Sequence, residues 1–170
     1  VAFGVSQTHY RLLAGRGAAD FARKLGLAEW EPPKTQPSNG RSVADPPAPT
    51  DTVGCVGFDG GHFAAALSTG GKGNSMIGRV GDVPLIGCGL YVGPHGAVAA
   101  TGDGEEITMK MAALRVYQML ERGADPEIAL KTGIGWFDSK VDIGLILISR
   151  KGHAGGSNRD MAWSVVDSGE

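Results

Sequence analysis

A sharp change of texture between residues 50 and 52 constrains this chain more than any other feature. Six prolines fall within residues 32–50, with Ser38, Asn39 and Gly40 and almost no large apolar side chain. Proline fixes φ and lacks an amide donor, so such a run neither continues a helix nor fits inside a sheet. It reads as an extended linker. Beyond it, residues 53–59 and 62–69 form two β-like runs separated by Gly60-Gly61, a hairpin signal. The main core therefore starts abruptly at Thr52, and the chain divides into residues 1–31, 32–51 and 52–170.

The remaining pattern predicts the elements around that hairpin. Residues 18–25 read as a helix, with Gly26 at the position of a C-cap glycine. The 28 glycines are scattered rather than repetitive, and residues 70–89 form a glycine-dense loop. Residues 96–102, "GAVAATG", are a short strand of small residues. Ile107, Met111, Leu114, Tyr117 and Leu120 recur at three- and four-residue steps, predicting one amphipathic helix that ends near Gly123. Asp125-Pro126 is an N-cap followed by proline at the first helical position, opening a second helix to about Phe137. Residues 141–149 are a continuous apolar strand. Arg150-Lys151-Gly152 turns it into another from His153, and "MAWSVVD" closes the set as a last strand. Helices segregated from strands in this way predict an α+β fold with helices on an antiparallel sheet.

Several function classes are disfavoured. Sixteen basic and 18 acidic residues leave no basic block for nucleic acid. The apolar runs are too short for a helix that crosses a bilayer. Cys55 and Cys88 lie in apolar segments without metal-like spacing and read as buried thiols. His9, His62, His95 and His153 are scattered, so no zinc site and no other metal site is expected. "GGKGNSMIGRVG" matches neither nucleotide-binding glycine pattern, and no cofactor is expected. The acidic "TGDGEE" lacks the alternating ligands of a calcium loop, and Glu105 and Glu106 suit the first turn of a helix. Trp136 and Trp163 read as core residues of a helix and a strand.

Thr52 admits two readings. It is a β-favouring residue that opens a strand, or it is a nucleophile. A threonine hydroxyl must lose its proton as it attacks. If the Asp51–Thr52 bond were cut, the new α-amino group, with a reference pKa of about 7.7–8.0, would be a neighbouring base. A slack linker ending at Asp51 would tolerate such a cut.

The surrounding motifs decide between them. "DTVGCV", "AAALSTGGKGNSMIGRVGD", "PLIGCGLYV", "GAVAATGDGEE" and "ERGADPEIA" closely resemble the β subunit of the asparaginase family of N-terminal nucleophile hydrolases. That family includes glycosylasparaginases and plant-type asparaginases with isoaspartyl peptidase activity. Upstream, "THYRLLAGRGAADFARKLG" is similar to the end of the family's α subunit, with Arg16 in place of an acidic residue. The resemblance implies an αββα four-layer sandwich, partial because most of the α portion is absent. It makes residues 1–31 α-subunit-like and 52–170 the catalytic part. It implies Thr52 as the nucleophile released by cleavage after Asp51, and Thr69 of "STGG" as a second threonine that orients it. Arg79 and Asp82 of "GRVGD" match the residues that hold the substrate's α-carboxylate and α-amino group. Thr101 and Gly102 of "ATG" match the oxyanion donors.

The departures concern specificity more than reaction type: Val83 for serine, Ile77 for proline, and Asp103 for histidine or asparagine. The expected activity is amidohydrolysis of the side-chain amide of asparagine derivatives. Asp51 and "DMAWSVVD" look more like glycosylasparaginases, so N4-(β-N-acetylglucosaminyl)-L-asparagine is the expected substrate. Hydrolysis of L-asparagine or β-aspartyl peptides is the alternative, and an uncleaved, non-catalytic relative is the other. Only 51 residues precede Thr52, so an upstream α-subunit segment is the expected partner, with αβ units pairing to (αβ)2. The partners otherwise expected are a small asparagine-derived substrate, and neither nucleic acid nor membrane. The compartment is open.

Overall fold

A computed structural model of the chain describes residues 2–3, 15–27, 52–72 and 79–167. The linker at residues 32–51 lies outside them, as does the "THYRLL" portion of the upstream resemblance.

The elements are β1 (Ala2–Phe3), α1 (Gly15–Lys24), β2 (Thr52–Phe58), β3 (Phe63–Thr69), β4 (Leu90–Gly93), β5 (Gly96–Gly102), α2 (Gly104–Lys110), α3 (Ala112–Glu121), α4 (Pro126–Ile134), β6 (Ile143–Ser149) and β7 (Gly152–Ser157). The strands form two antiparallel sheets, ordered β1-β3-β2 and β4-β5-β6-β7. This is an α+β arrangement in which α2, α3 and α4 gather on one side of the second sheet. The β2–β3 hairpin turns at Gly60-Gly61, and Asp59 caps it by accepting from the Gly61 and His62 N–H groups.

The first sheet lies against the inner face of the second. Phe63, Ala65 and Leu67 alternate inward from β3 and meet Val83, Leu90, Ala97 and Ala99. The other face of the second sheet carries Val98, Ala100, Ile143, Leu145 and Leu147, which pack under α3 and α4 with Ile107, Val116, Tyr117 and Leu130. Strand β5 is thus buried on both faces, which explains its run of small apolar residues without polar alternation. Gly54 of β2 lies so close to Leu67 and Ala99 that a side chain there would collide with Leu67. The two sheets approach through that gap.

Helix ends follow their local signals. Helix α1 ends in Gly26 at φ +72, with Leu27 N–H donating to Ala22 and Gly26 N–H to Arg23. At α4, the Asp125 side chain accepts from Glu127 N–H at 2.9 Å, and Pro126 takes the first turn.

Four expectations need correction. The single helix over residues 107–123 is two, broken at Met111, whose φ is 47. The break frees the first amides of α3, so that Ala113 and Leu114 N–H donate to the carbonyls of Cys88 and Gly87. Residues 90–93 form an unanticipated strand, β4. The closing "MAWSVVD" strand does not form: residues 161–167 run without strand pairing, Met161 crosses Gly144, and Trp163 lies over Gly155 while about half exposed. Cys55 is exposed, because with Val53 and Gly57 it points to the outer face of the hairpin, whereas Cys88 is buried.

Asp125→Ala removes a cap whose typical value is about 1 kcal/mol. Urea unfolding should show a loss of that size, and no change would mean the α4 terminus is satisfied otherwise.

Candidate active site

Register brings the first two groups together. Thr52 opens β2 opposite Thr69, the last residue of β3. Directly opposed residues on one sheet face hold their β-carbons about 5 Å apart. Thr52 Oγ1 accordingly donates to Thr69 Oγ1 at 3.0 Å. Thr69 Oγ1 also accepts the Gly71 N–H at 3.1 Å, which ties the following loop to the same hydroxyl.

The end of β5 supplies the next pair. Thr101 and Gly102 lie opposite Gly144 and Ile143 of β6. Gly102 has φ +132, and a β-carbon there would collide with the Asp142 carbonyl, so this position needs glycine on both counts. The chain then leaves the sheet, and Asp103 N–H donates to that same carbonyl at 2.8 Å.

Arg79 and Asp82 come from the segment between β3 and β4. The Asp82 carbonyl accepts from Leu85 and Gly89 N–H at 2.9 and 3.1 Å, forming a tight turn that fixes the residue. Its side chain is buried, and Oδ2 has no hydrogen-bond partner among the described residues. Burial pushes this carboxyl above its ordinary value, while the turn amides and Arg79 oppose the shift. A buried, unpartnered carboxylate oxygen is costly to maintain and marks a place where a donor would bind well.

Arg79 presents its fork to the first turn of α2. Nε donates to Glu105 Oε1 at 2.8 Å and Nη2 to Oε2 at 2.9 Å. This two-point contact holds the Glu105 carboxyl down to about 2. Gly104 lies so close to Asp82 Oδ1 and Arg79 Nη2 that any side chain there would displace them.

A second ion pair stands nearby. Lys72 Nζ meets Asp103 Oδ1 at 3.1 Å, and Asp103 Oδ2 accepts the Asp142 N–H at 3.2 Å. Arg159 Nε donates to Asp142 Oδ1 at 2.7 Å.

Most of these residues, though not Gly104, Glu105 or Arg159, line one cavity of about 610 Å³. Thr52, Thr69, Arg79, Asp82, Thr101 and Gly102 all line it, so all six positions that the resemblance implies meet in one place. A smaller cavity of about 380 Å³ shares Thr52 and Thr101 and continues between the sheets toward Met161 and Trp163. Asp51 and Ile77 lie outside the described residues. Val83 is buried in the core with Leu67 and Leu90 and also lines the cavity, to which it presents an apolar wall.

Comparison with known proteins fits this convergence. The model of a family described as Asparaginase matches residues 33–170. The chain belongs to the asparaginase family of N-terminal nucleophile hydrolases. It is 35% identical to an isoaspartyl peptidase/L-asparaginase of Rattus norvegicus, over 98% of this chain and 55% of that protein. It is also 35% identical to the one of Xenopus laevis, over 95% and 58%. With a plant-type L-asparaginase of Pyrococcus abyssi it shares 30% identity, over 89% and 57%. The chain thus spans somewhat more than half the length of these curated relatives.

Sequence reasoning missed three residues here. Glu105 was read only as a helix-start acid, yet it is the partner of Arg79. Lys72 lies within the quoted "STGGKGNSMIGRVGD" stretch but is assigned no role there, and Asp142 falls in no quoted motif.

A carbon-detected NMR titration tests the electrostatics directly. Glu105 should titrate near 2 and Asp82 above its ordinary value. Arg79→Met should return Glu105 upward, and an unchanged Glu105 midpoint would disprove the coupling.

Proposed function

We propose that this chain is the catalytic portion of an amidohydrolase that cleaves the side-chain amide of asparagine derivatives, with Thr52 as its N-terminal nucleophile after cleavage of the Asp51–Thr52 bond. The observation that carries this reading is the orphaned Asp82 Oδ2, buried beside the Arg79 guanidinium on a cavity that Thr52 also lines. An aspartyl group carries an α-ammonium and an α-carboxylate. Asp82 suits the first and the Arg79 fork the second, once the substrate carboxylate takes the place of Glu105.

The reaction then follows from the groups at hand. The α-amine of Thr52 takes the hydroxyl proton as Oγ1 attacks the side-chain carbonyl. The Thr101 hydroxyl and the Gly102 N–H stabilise the oxyanion. The C–N bond breaks, the departing nitrogen receives the proton, and an aspartyl ester remains on Thr52. Water, deprotonated by the same amine, hydrolyses that ester. Thr69 positions the nucleophile throughout, and no cofactor is used. An α-subunit segment, in αβ units that pair to (αβ)2, belongs to the same proposal.

Among substrates, the names of the relatives support L-asparagine and β-aspartyl peptides. A second reading, N4-glycosylated asparagine, draws on Asp51 before the nucleophile and on the Asp103 and Asp142 carboxylates of the cavity, which suit sugar hydroxyls. Turnover of the three substrates side by side ranks them.

Intact mass should show fragments 1–51 and 52–170, and Thr52→Ala should give one uncut chain with no hydrolysis. A persistent single chain in the unsubstituted protein would instead favour a non-catalytic relative.

Arg79→Lys loses the two-point grip, so KM should rise by about 10- to 100-fold, in line with roughly 1.5–3 kcal/mol for a charge-assisted contact. Because only ionised Asp82 attracts the ammonium, affinity should fall as pH drops through its raised pKa. A KM independent of pH across that range would remove Asp82 from substrate binding.

A further inference from the structure

We propose that Lys72 forms an anion subsite at the cavity rim that receives the carboxylate of the amino acid released from a β-aspartyl peptide. This deepens the reading above and rests on it for the position of the aspartyl half.

Charge matching leads to it. Among the described residues, the cavity lining contains two cations, Arg79 and Lys72, and three acids, of which Asp82 alone is buried while Asp103 and Asp142 are engaged with Lys72, Arg159 and each other. A β-aspartyl dipeptide carries two carboxylates and one ammonium. Its aspartyl half uses one carboxylate at Arg79 and the ammonium at Asp82. The second carboxylate lies beyond the scissile amide, and Lys72, the other cation of the lining, would meet it while keeping its pairing with Asp103.

Placement agrees. Lys72 follows Thr69 by three residues, and its partner Asp103 directly follows Gly102, so the pair spans from the nucleophile's neighbour to the oxyanion end of β5. Asp103 is a fixed strut: its two oxygens meet Lys72 Nζ and the Asp142 N–H, and its own N–H holds the Asp142 carbonyl. Arg159 secures Asp142 from outside. The Lys72 ammonium is therefore held at the rim, yet its side chain is 57% exposed, so a second oxygen can approach without a large desolvation cost. An ammonium has three donors on a rotatable stem and can serve two acceptors. Ammonia released from asparagine and an uncharged glycosylamine have no group that needs this cation.

The test compares β-aspartyl-leucine with its C-terminal carboxamide. The unsubstituted chain should favour the acid by about five- to tenfold in kcat/KM, the size of a partly exposed charged contact, with the difference carried by KM. Lys72→Met should bring the ratio to about one, and Lys72→Arg should restore most of it. A ratio near one in the unsubstituted chain, or one that survives Lys72→Met, overturns the proposal.

Calorimetry on Thr52→Ala protein separates binding from chemistry. It should show the same preference, lost on adding Lys72→Met, and equal or absent binding of both ligands counts against the subsite. Turnover of L-asparagine with equal binding of acid and amide refutes the subsite alone. Carboxylate-dependent binding without turnover of any substrate refutes the reaction and leaves the anion site standing.

Discussion

The close approach of the two sheets at Gly54 and Ala99 is the constraint on which the rest depends. A strand pair normally packs on another sheet at about 10 Å. Where β2 crosses β5 the facing residues are Gly54 and Ala99, so that a β-carbon at position 54 would already be in contact with Ala99. Two residues before Gly54 is Thr52, and two residues after Ala99 is Thr101. The strand ends therefore open onto the same cavity, and the spacing of the Thr52 and Thr101 side chains is set by core packing. A larger residue at position 54 would collide first with Leu67 and then press on Ala99, disturbing that spacing.

Around this rigid base the electrostatics is arranged in opposed pairs. Arg79 is satisfied by an exposed acid that a ligand can replace, whereas Asp82 is buried with an oxygen unpartnered. One group is held in reserve by a competitor and the other is left costly until something binds. Both arrangements favour a zwitterion over either single charge, because each half of the ligand relieves a different local imbalance.

Much of this was legible before any coordinates. The hairpin over residues 52–69 could be read because alternation and the Gly60-Gly61 turn point to one register, and that register alone pairs Thr52 with Thr69. The six cavity residues were legible through motifs whose order survives in the chain. The break at Met111 was not, because the apolar spacing of Ile107, Leu114, Tyr117 and Leu120 continues across it while its cause is tertiary: the amides of Ala113 and Leu114 are claimed by the loop at residues 87–88. Strand β4 was hidden by its brevity and by flanking glycines. "MAWSVVD" alternates like a strand, yet alternation reports only that one face can be buried, and here Met161 and Trp163 use their side chains to cover glycines instead. Glu105 was hidden because one residue answers two demands, the helix terminus and the arginine.

The break at Met111 also links parts of the molecule that look independent. Helix α3 grips the carbonyls of Gly87 and Cys88; the next residue, Gly89, bonds the carbonyl of Asp82 and in turn accepts from Ala100. A short relay of main-chain bonds thus runs from a helix on the far layer to the buried acid and on to the strand that carries Thr101. The helical layer acts as a gauge block for the cavity. Substitutions along α3 can retune how firmly a ligand is held while leaving every residue that touches it unchanged.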